Sequence, residues 1–600
     1  MSALEKGRGR EWLQDARTSR SSTPKSELET SPNSSTGPSP HLAQEETTIL
    51  DCHGPDDQRN PHNWSSTRKW MTAALTLSGT FMLSLNGTAI TIAAEEISDE
   101  FHIENSPTFS NTYWMVFSWN MGGAFFVLFL PLLEDFGVRR PYLFFYGLFL
   151  SMVIPQAVAQ NFVTLIVTRI IAGGCVAVLA NTIASAIPDM WESDKARSVP
   201  VGLYILLYVT GNTAGPVIFA PVMQYIGNWR WVFYIQLIVY GAMAPIYLIF
   251  LPETRGHTIL GIEAERIREE TGKLVYTAQQ SHALPIKQRL VKSVTRPLYL
   301  LFTEPVLLAS TIWSAFALGL AFAFTQSSEQ VFQELYGWNS WQCGYIQAAV
   351  VIGELLGWPV TIYGTSLHLK SAKRNTEDPG QPIPEARLYV SVLGSFLGIT
   401  GGMFVYAWTS FNDVPWIAPA VGLAMVGFGI QIVVCVIADY VVDLYAASDY
   451  AGSAIAAVVV GEQIVAAALP LTEASMYTNL GFQWASSLLG FIALLLSITP
   501  LLFIWQGRKL RERSPFMRSS GQSIAVKSYI YDTSNDSNRS PEIRSAILPR
   551  VPETPGLRNM KPRSHKKQGW HAYLLQTPAT RSDDDDENSR APNECVPTQQ

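Results

Sequence analysis

WIAPAVGLAMVGFGIQIVVCVIA, residues 416–438, runs 23 residues without an Asp, Glu, Lys or Arg. As a helix it would reach about 34 Å, enough to cross a hydrocarbon core of roughly 30 Å. Eleven further apolar stretches share this character, near 70–93, 113–133, 141–160, 162–187, 199–222, 231–251, 305–325, 344–366, 388–409, 452–474 and 484–505. With the first they fill about 270 of the 600 residues. The expected fold class is an all-α membrane protein of twelve transmembrane helices in two six-helix halves.

The loops between these spans differ in charge by parity. Loops 1–2, 3–4, 5–6, 7–8, 9–10 and 11–12 contain one Lys or Arg, Arg230, and the remaining loop Lys and Arg lie on the other side with both tails. The positive-inside rule then places both termini in the cytosol. One basic loop is long: 252–304 carries Arg255, Arg266, Arg268, Lys273, Lys287, Arg289, Lys292 and Arg296. The expected organisation is an N-terminal tail 1–69, a first half 70–251, a central loop 252–304, a second half 305–505 and a C-terminal tail 506–600. Both tails are polar, rich in Ser, Thr and Pro, and expected to be disordered, without a signal-peptide apolar core. The acidic run Asp583–Glu587 belongs to that solvated class.

The formal net charge of −6 averages tails and loops and does not point to nucleic acid. The basic juxtamembrane segments suit anionic lipid instead. Five scattered cysteines, Cys52, Cys175, Cys343, Cys435 and Cys595, give neither a disulfide framework nor metal-ligand spacing, so no cofactor is expected.

Four charged side chains fall inside the twelve spans: Arg169, Glu354, Glu462 and Glu473. A charge at the bilayer centre costs at least about 2.5–3.5 kcal/mol, so these side chains are expected to face the bundle interior or water. Burial favours the neutral form of an acid, which suits Glu354 and Glu462 to carry protons; the plain alternative is an acid hydrogen-bonded to a neighbouring helix. Glu473, near the end of its span, is expected to reach water. Trp119 and Trp313 with Asn86, Asn120, Asn212, Gln431 and Gln463 are candidates for a mostly apolar cavity holding an amphipathic organic molecule. Two halves, a basic middle loop and buried acids suggest an alternating-access carrier; no filter repeat suggests a channel and no phosphate-binding loop an ATP-driven pump.

Loop signatures carry a resemblance. Pro61-x-Asn63-Trp64-Ser65 precedes span 1, Leu165-x-x-x-Arg169-x-x-x-Gly173 lies in span 4, and Gly211-x-x-x-Gly215-Pro216 lies in span 5. Trp229-Arg230-Trp231 opens span 6, Pro252-Glu253-Thr254 follows it, and Pro384-Glu385-x-Arg387 and Asp443-x-Tyr445 recur in the second half. This order resembles the major facilitator superfamily, and within it the fungal-type twelve-span drug:proton antiporters. The resemblance covers about Asn60 to Phe516 and implies a role for Arg169 in proton transfer. It also implies gating by Gly211, Gly215, Pro216 and the loop between spans 2 and 3. That loop departs from the family pattern Gly-x-Leu-x-Asp-Arg-x-Gly-Arg-Arg: here it is Leu130-Pro-Leu132-Leu-Glu134-Asp135-Phe-Gly137-Val138-Arg139-Arg140. Asp135 in place of a cation is expected to weaken the latch or re-pair it with another loop.

The expected activity is not enzymatic. It is export of amphipathic small molecules, xenobiotics or a secondary metabolite, by proton antiport through a monomer in the plasma membrane. The alternatives are a carrier of a defined metabolite working inward or in a vacuolar or peroxisomal membrane, and a non-transporting sensor signalling through its tails.

Overall fold

The structure is a computed structural model. It describes residues 48–50, 57, 59–104, 106, 109–272, 274–277, 285–376, 379–445, 450–514 and 516. The expected tail segments 1–47 and 517–600, with Cys52, Cys595 and the acidic run, lie outside the described residues.

Helices dominate. The first set comprises α1 (Ser66–Thr88), α2 (Ala94–Phe101), α3 (Trp114–Val127), α4 (Leu130–Leu133), α5 (Arg139–Ala157), α6 (Phe162–Met190), α7 (Asp194–Tyr225) and α8 (Arg230–Phe250). Two helices of the central segment follow, α9 (Gly256–Thr271) and α10 (Ile286–Thr303). The second set is α11 (Pro305–Tyr336), α12 (Ser340–Ile346), α13 (Ala348–Ser371), α14 (Tyr389–Leu393), α15 (Gly402–Thr409), α16 (Ile417–Tyr445), α17 (Ala451–Leu480), α18 (Phe482–Leu496) and α19 (Ile498–Arg513). A π-helical stretch, Gly394–Gly401, joins α14 to α15.

Among the described residues ten helices are long and apolar enough to cross a membrane, and eleven if the bent pair Asn111–Val127 and Leu130–Phe136 is taken as one span. The expected twelve are not reached on that measure. The span expected at 141–160 is α5, 19 residues long and opening on Arg139 and Arg140, and it is outside the count. The 51° bend falls at the break between Val127 and Leu130, just before Pro131, which has no N–H for the preceding turn's carbonyl.

Several helices overrun the expected spans. α11 extends past residue 325 to include Glu329 and Glu334, α16 includes Asp439 and Asp443, and α6 includes Asp189. The final helix ends at Arg513 rather than near 505. The N-terminal boundary also shifts: α1 begins at Ser66 with Ser65 capping the Arg68 N–H, and Pro61–Asn63 forms a short 3-10 turn before it. Further upstream, β1 (Thr48–Ile49) pairs in parallel with β2 (Val275–Tyr276), and Leu50 packs with Leu260, Ala264 and Val275. Part of the expected 1–69 tail is therefore ordered against the central segment.

Packing pairs α1 with α7, α3 with α6, α11 with α17 and α13 with α16 within the sets; between the sets α3 meets α17 and α7 meets α13. Small residues permit the tight crossings. A Cβ added to Gly215 would lie 2.3 Å from Thr88 Oγ1, and one on Gly211 2.7 Å from Ser84 Cβ, so both glycines of the span 5 motif seat α7 on α1.

Candidate substrate cavity and coupling residues

A cavity of about 380 Å³ lies between the two helix sets. Its mouth is lined by Glu134, Asp189, Asp194, Arg197, Arg255, Arg387, Asp439 and Asp443, residues at helix ends and loops of the basic end. Deeper, its wall is Val201, Tyr204, Ile205, Tyr208, Val434, Ile455, Val458 and Val459, with Glu462 among them. Glu462 stands eleven residues into α17, about 16 Å along the helix from its start. The wall is therefore apolar with a few polar groups, the composition that suits an amphipathic organic ligand.

At the opposite end the two sets touch. Ser340 Oγ donates to Glu95 Oε2 at 2.8 Å, Tyr345 Oη to Gln224 Oε1 at 3.2 Å, the Ser110 N–H to the Leu471 carbonyl at 2.9 Å, and Tyr113 Oη to the Thr325 carbonyl at 3.2 Å. A Cβ on Gly344 would lie 2.3 Å from Ile92 Cδ1, so no side chain separates α12 from the first set there. The molecule is open at the basic end and closed at the other.

Each sequence-derived candidate has a definite place. Glu462 lines the cavity, and its Oε1 accepts from the Ser314 hydroxyl of α11. Glu354 of α13 is buried outside the cavity wall; its Oε2 accepts from Thr213 Oγ1 of α7 at 2.8 Å, a bond between the two sets, and its Oε1 has no partner. Arg169 has no exposed surface. Its Nε donates to Met115 O at 2.7 Å, Nη2 to Gly87 O at 2.7 Å and Nη1 to Asn86 O at 3.3 Å. Two of those carbonyls sit where α1 gives way to a 3-10 segment, Ala89–Ala93, so the guanidinium caps a helix break.

The residues expected to line the cavity are all buried, and none of them lines it in this conformation. Asn86 Nδ2 donates to Gln236 Oε1 and Trp119 Nε1 to Asn86 Oδ1. Asn120 and Asn212 donate to carbonyls one turn back, Val116 O and Tyr208 O. Gln463 Nε2 reaches the Tyr208 hydroxyl at 3.1 Å, Trp313 is packed in the core, and the Gln431 amide has no partner. The cavity wall instead uses Tyr204 and Tyr208, one turn apart with stacked rings. Asn86, Trp119, Asn120 and Trp313 lie on α1, α3 and α11, which give no residue to the wall, whereas for Asn212, Gln431 and Gln463 on α7, α16 and α17 position and rotation along wall-forming helices decide; the spacing of Tyr204 and Tyr208 was the available signal.

Glu473 differs from expectation. It does not reach water: it is 1 % exposed, and neither of its oxygens accepts a properly directed hydrogen bond.

The loop between α4 and α5 is re-paired rather than loose. Asp135 forms an ion pair with Arg289 of α10 at 3.0 Å. Glu134 lies 3.5 Å from Arg255, which also pairs with Asp189 at 3.1 Å. The Glu253 carboxylate accepts the Val138 and Arg139 N–H groups at 2.9 and 3.0 Å, where Gly137 takes φ +89°. Arg139 Nη2 reaches Leu248 O, and Arg140 is exposed. Burial and the nearby Arg255 charge hold the His257 imidazole below its ordinary value in the same segment. In the second set Arg387 pairs with Asp439 and Asp443, and Arg511 with Glu385. Cys175, Cys343 and Cys435 are buried free thiols.

A multi-pass helical bundle enclosing a cavity that opens at one end between two helix sets defines a membrane carrier of small molecules. The chain belongs to the Major Facilitator Superfamily, whose family model matches residues 76–470. It is similar to the MFS transporter cpaT of Aspergillus oryzae, 32% identical over 80% of this chain and 96% of that one. It is also similar to the efflux pump radE of Floropilus chiversii, 29% identical over 80% of this chain and 87% of that one. The citrinin biosynthesis cluster MFS transporter mrr1 of Monascus ruber is 28% identical over 78% and 92%. These relatives are named as transporters and efflux pumps.

Proposed function

We propose that this protein exports an amphipathic organic molecule, a secondary metabolite or a xenobiotic, across the plasma membrane in exchange for protons. The observation that carries the reading is Glu462, a carboxyl group at depth in an otherwise largely apolar cavity wall. A group there meets substrate and water from the same opening, so proton and substrate compete for one place. Glu354, bonded to Thr213 across the two sets, exchanges its proton as the sets move. Arg169 serves coupling by fixing the break in α1 beside α3. Relatives named as efflux pumps favour outward transport.

In this reading the bundle has twelve spans, counting the bent pair and α5, and acts as a monomer. The domains are a first half 70–251, a central loop 252–304 and a second half 305–505, with both termini in the cytosol. The basic end is then the cytosolic one, and the present conformation faces inward. Glu134, Gly137, Arg139 and Arg140 gate that side together with Arg289.

The test is efflux of a panel of labelled amphipathic compounds from cells expressing the protein, with and without a protonophore. Protonophore-sensitive loss of accumulation is expected, and Glu462→Gln, which keeps the Ser314 bond but cannot release a proton, is expected to move substrate without a counterflow of protons. Substrate-driven proton flux in that variant equal to the parent's removes Glu462 from the coupling.

A further inference from the structure

The closed end of the bundle holds a carboxyl group that the proposed cycle does not use. Glu473 lies eleven residues after Glu462 on α17, three helical turns, and so on the same face. Both acids look onto α11, Glu462 onto Ser314 and Glu473 onto Ser327.

The groups facing Glu473 come from every neighbouring element. The first set supplies Tyr113, which also feels Glu329 of α11; α11 supplies Ser327; α15 supplies Tyr406, with Cys343 of α12 near it; α17 itself supplies Tyr477, hydrogen-bonded to Ser486 of α18. None of these is basic. Among the described residues the closed end's basic side chains are His102 and Arg230, and Arg230 is paired with Glu100 at 2.6 Å. At 1 % exposure, with no cation or directed donor at its oxygens among the described residues, an ionised Glu473 would be strongly disfavoured while this end is closed.

The cover over Glu473 is the seal between the two sets. The Ser110 bond to Leu471 O ends two residues before Glu473, and the Tyr113 bond to Thr325 O ends two residues before Ser327. Parting the sets at this end breaks both bonds and withdraws Tyr113 from Glu473.

We propose that Glu473 is a gating proton site: it releases a proton to water on the closed side when that end opens, and the end re-forms only after the carboxylate has taken a proton from that side. The step is simple in balance: one proton adds to one carboxylate oxygen on closing and returns to water on opening. A group that binds one more proton in the closed state shifts the open-to-closed ratio up to about tenfold per pH unit above the ordinary carboxylate range near 4.3.

The proposal needs the two sets to move against each other, but not outward or proton-driven transport. Lost efflux with an intact pH response of the gate would strike the proposed function and leave this inference standing.

The experiment uses the full chain in lipid nanodiscs, with Cys52 and Cys595 replaced by serine and spin labels at Tyr225→Cys and Leu480→Cys, two exposed positions on opposite sets at the closed end. Double electron–electron resonance between pH 5.5 and 7.5 reads the fraction parted. The expected result is a rise toward tenfold per pH unit in the unsubstituted acid, no slope and a closed end in Glu473→Gln, and a retained slope in both Glu473→Asp and Glu462→Gln. The same slope in Glu473→Gln, or no slope with the acid present, overturns the proposal. A Glu473→Gln chain that fails to fold also overturns it, because glutamine reproduces the neutral form proposed for the resting state.

Discussion

Arg169 offers the sharpest test of how the membrane interior is held together. The perturbation is a pair of substitutions, Arg169→Met and Arg169→Lys. Three of the guanidinium's five N–H groups bond to backbone carbonyls, two at 2.7 Å and one at 3.3 Å. Hydrogen bonds to a charged group are worth about 1.5–3 kcal/mol each, so the two short ones sum to roughly 3–6 kcal/mol and the long one adds little. Methionine removes them and leaves the Met115, Asn86 and Gly87 carbonyls without this donor, but it also removes a buried charge whose desolvation costs several kcal/mol. The net loss is about 2–4 kcal/mol. Lysine keeps the buried charge and loses the fork, so it bridges α1 and α3 poorly and gains nothing from relief of desolvation. Lysine is therefore expected to be no better than methionine, against the usual ranking of conservative substitutions. Thermal unfolding in nanodiscs, followed by tryptophan fluorescence, is expected to show both variants lowered by about 2–6 °C, the shift per kcal/mol shrinking as a domain grows. A lysine variant within 1 °C of the parent, or a methionine variant above it, refutes the reasoning that geometry rather than charge is what this position supplies.

Three further outcomes are expected. A Cβ on Gly122 would lie 1.8 Å from Ile170 O and one on Gly173 2.0 Å from Trp119 O, whereas Gly147 has nothing within 4 Å; alanine at either of the first two is expected to cost about 1–3 kcal/mol or more by forcing α3 and α6 apart, with a lower monodisperse yield, and alanine at Gly147 to be neutral. Asp135→Arg sets two cations together at Arg289, and the swap Asp135→Arg with Arg289→Asp is expected to recover the loss; with both side chains over a quarter exposed, the coupling in a double-mutant cycle should stay below about 1 kcal/mol and shrink with salt. His257 is held below its ordinary value of 6.5, so the unfolded chain takes up a proton first: stability is fullest above pH 6.5 and falls as pH drops from there through the folded value, and His257→Gln is expected to flatten that fall in a pH series of unfolding curves.

How far the sequence carried the structure depends on which physical quantity decides each feature. Residues 416–438 declare a span because transfer free energy is summed along the chain and needs no partner. Arg169, Glu354 and Glu462 stand out for the same reason, and all three are buried in the bundle. Helix ends are less legible, because α11 and α16 continue past the apolar stretch and bring in Glu329 and Asp439, whose charges had marked those stretches as loop. The cavity wall is least legible. Whether Tyr208 or its neighbour-in-space Gln463 meets the cavity depends on rotation of α7 and α17 by a fraction of a turn, and both faces of these helices are similarly apolar. The Asp135 departure illustrates an intermediate case: the lost cation was visible in the sequence, and Arg289, 154 residues away, became its partner only through the fold.

The two ends of the bundle use charge in opposite ways, and that difference bears on what each side can sense. At the basic end arginines meet carboxylates: Arg255 with Asp189, Arg387 with Asp439 and Asp443, Arg289 with Asp135, Arg511 with Glu385. Pairs of this kind weaken with ionic strength where they are partly exposed, since such charges are screened over about 8 Å at 0.15 M. Among the described residues the closed end has one arginine, Arg230, already committed to Glu100; its Glu329 is half-buried and accepts from the Gln333 amide, whereas Glu473 is buried beside Tyr113, Tyr406 and Tyr477. Contacts of that kind are indifferent to salt but cannot form over an ionised acid. Under the gating role proposed for Glu473, this division would close the basic side by ion pairing and the other side by protonation, so that a proton gradient across the membrane would act on the two gates unequally.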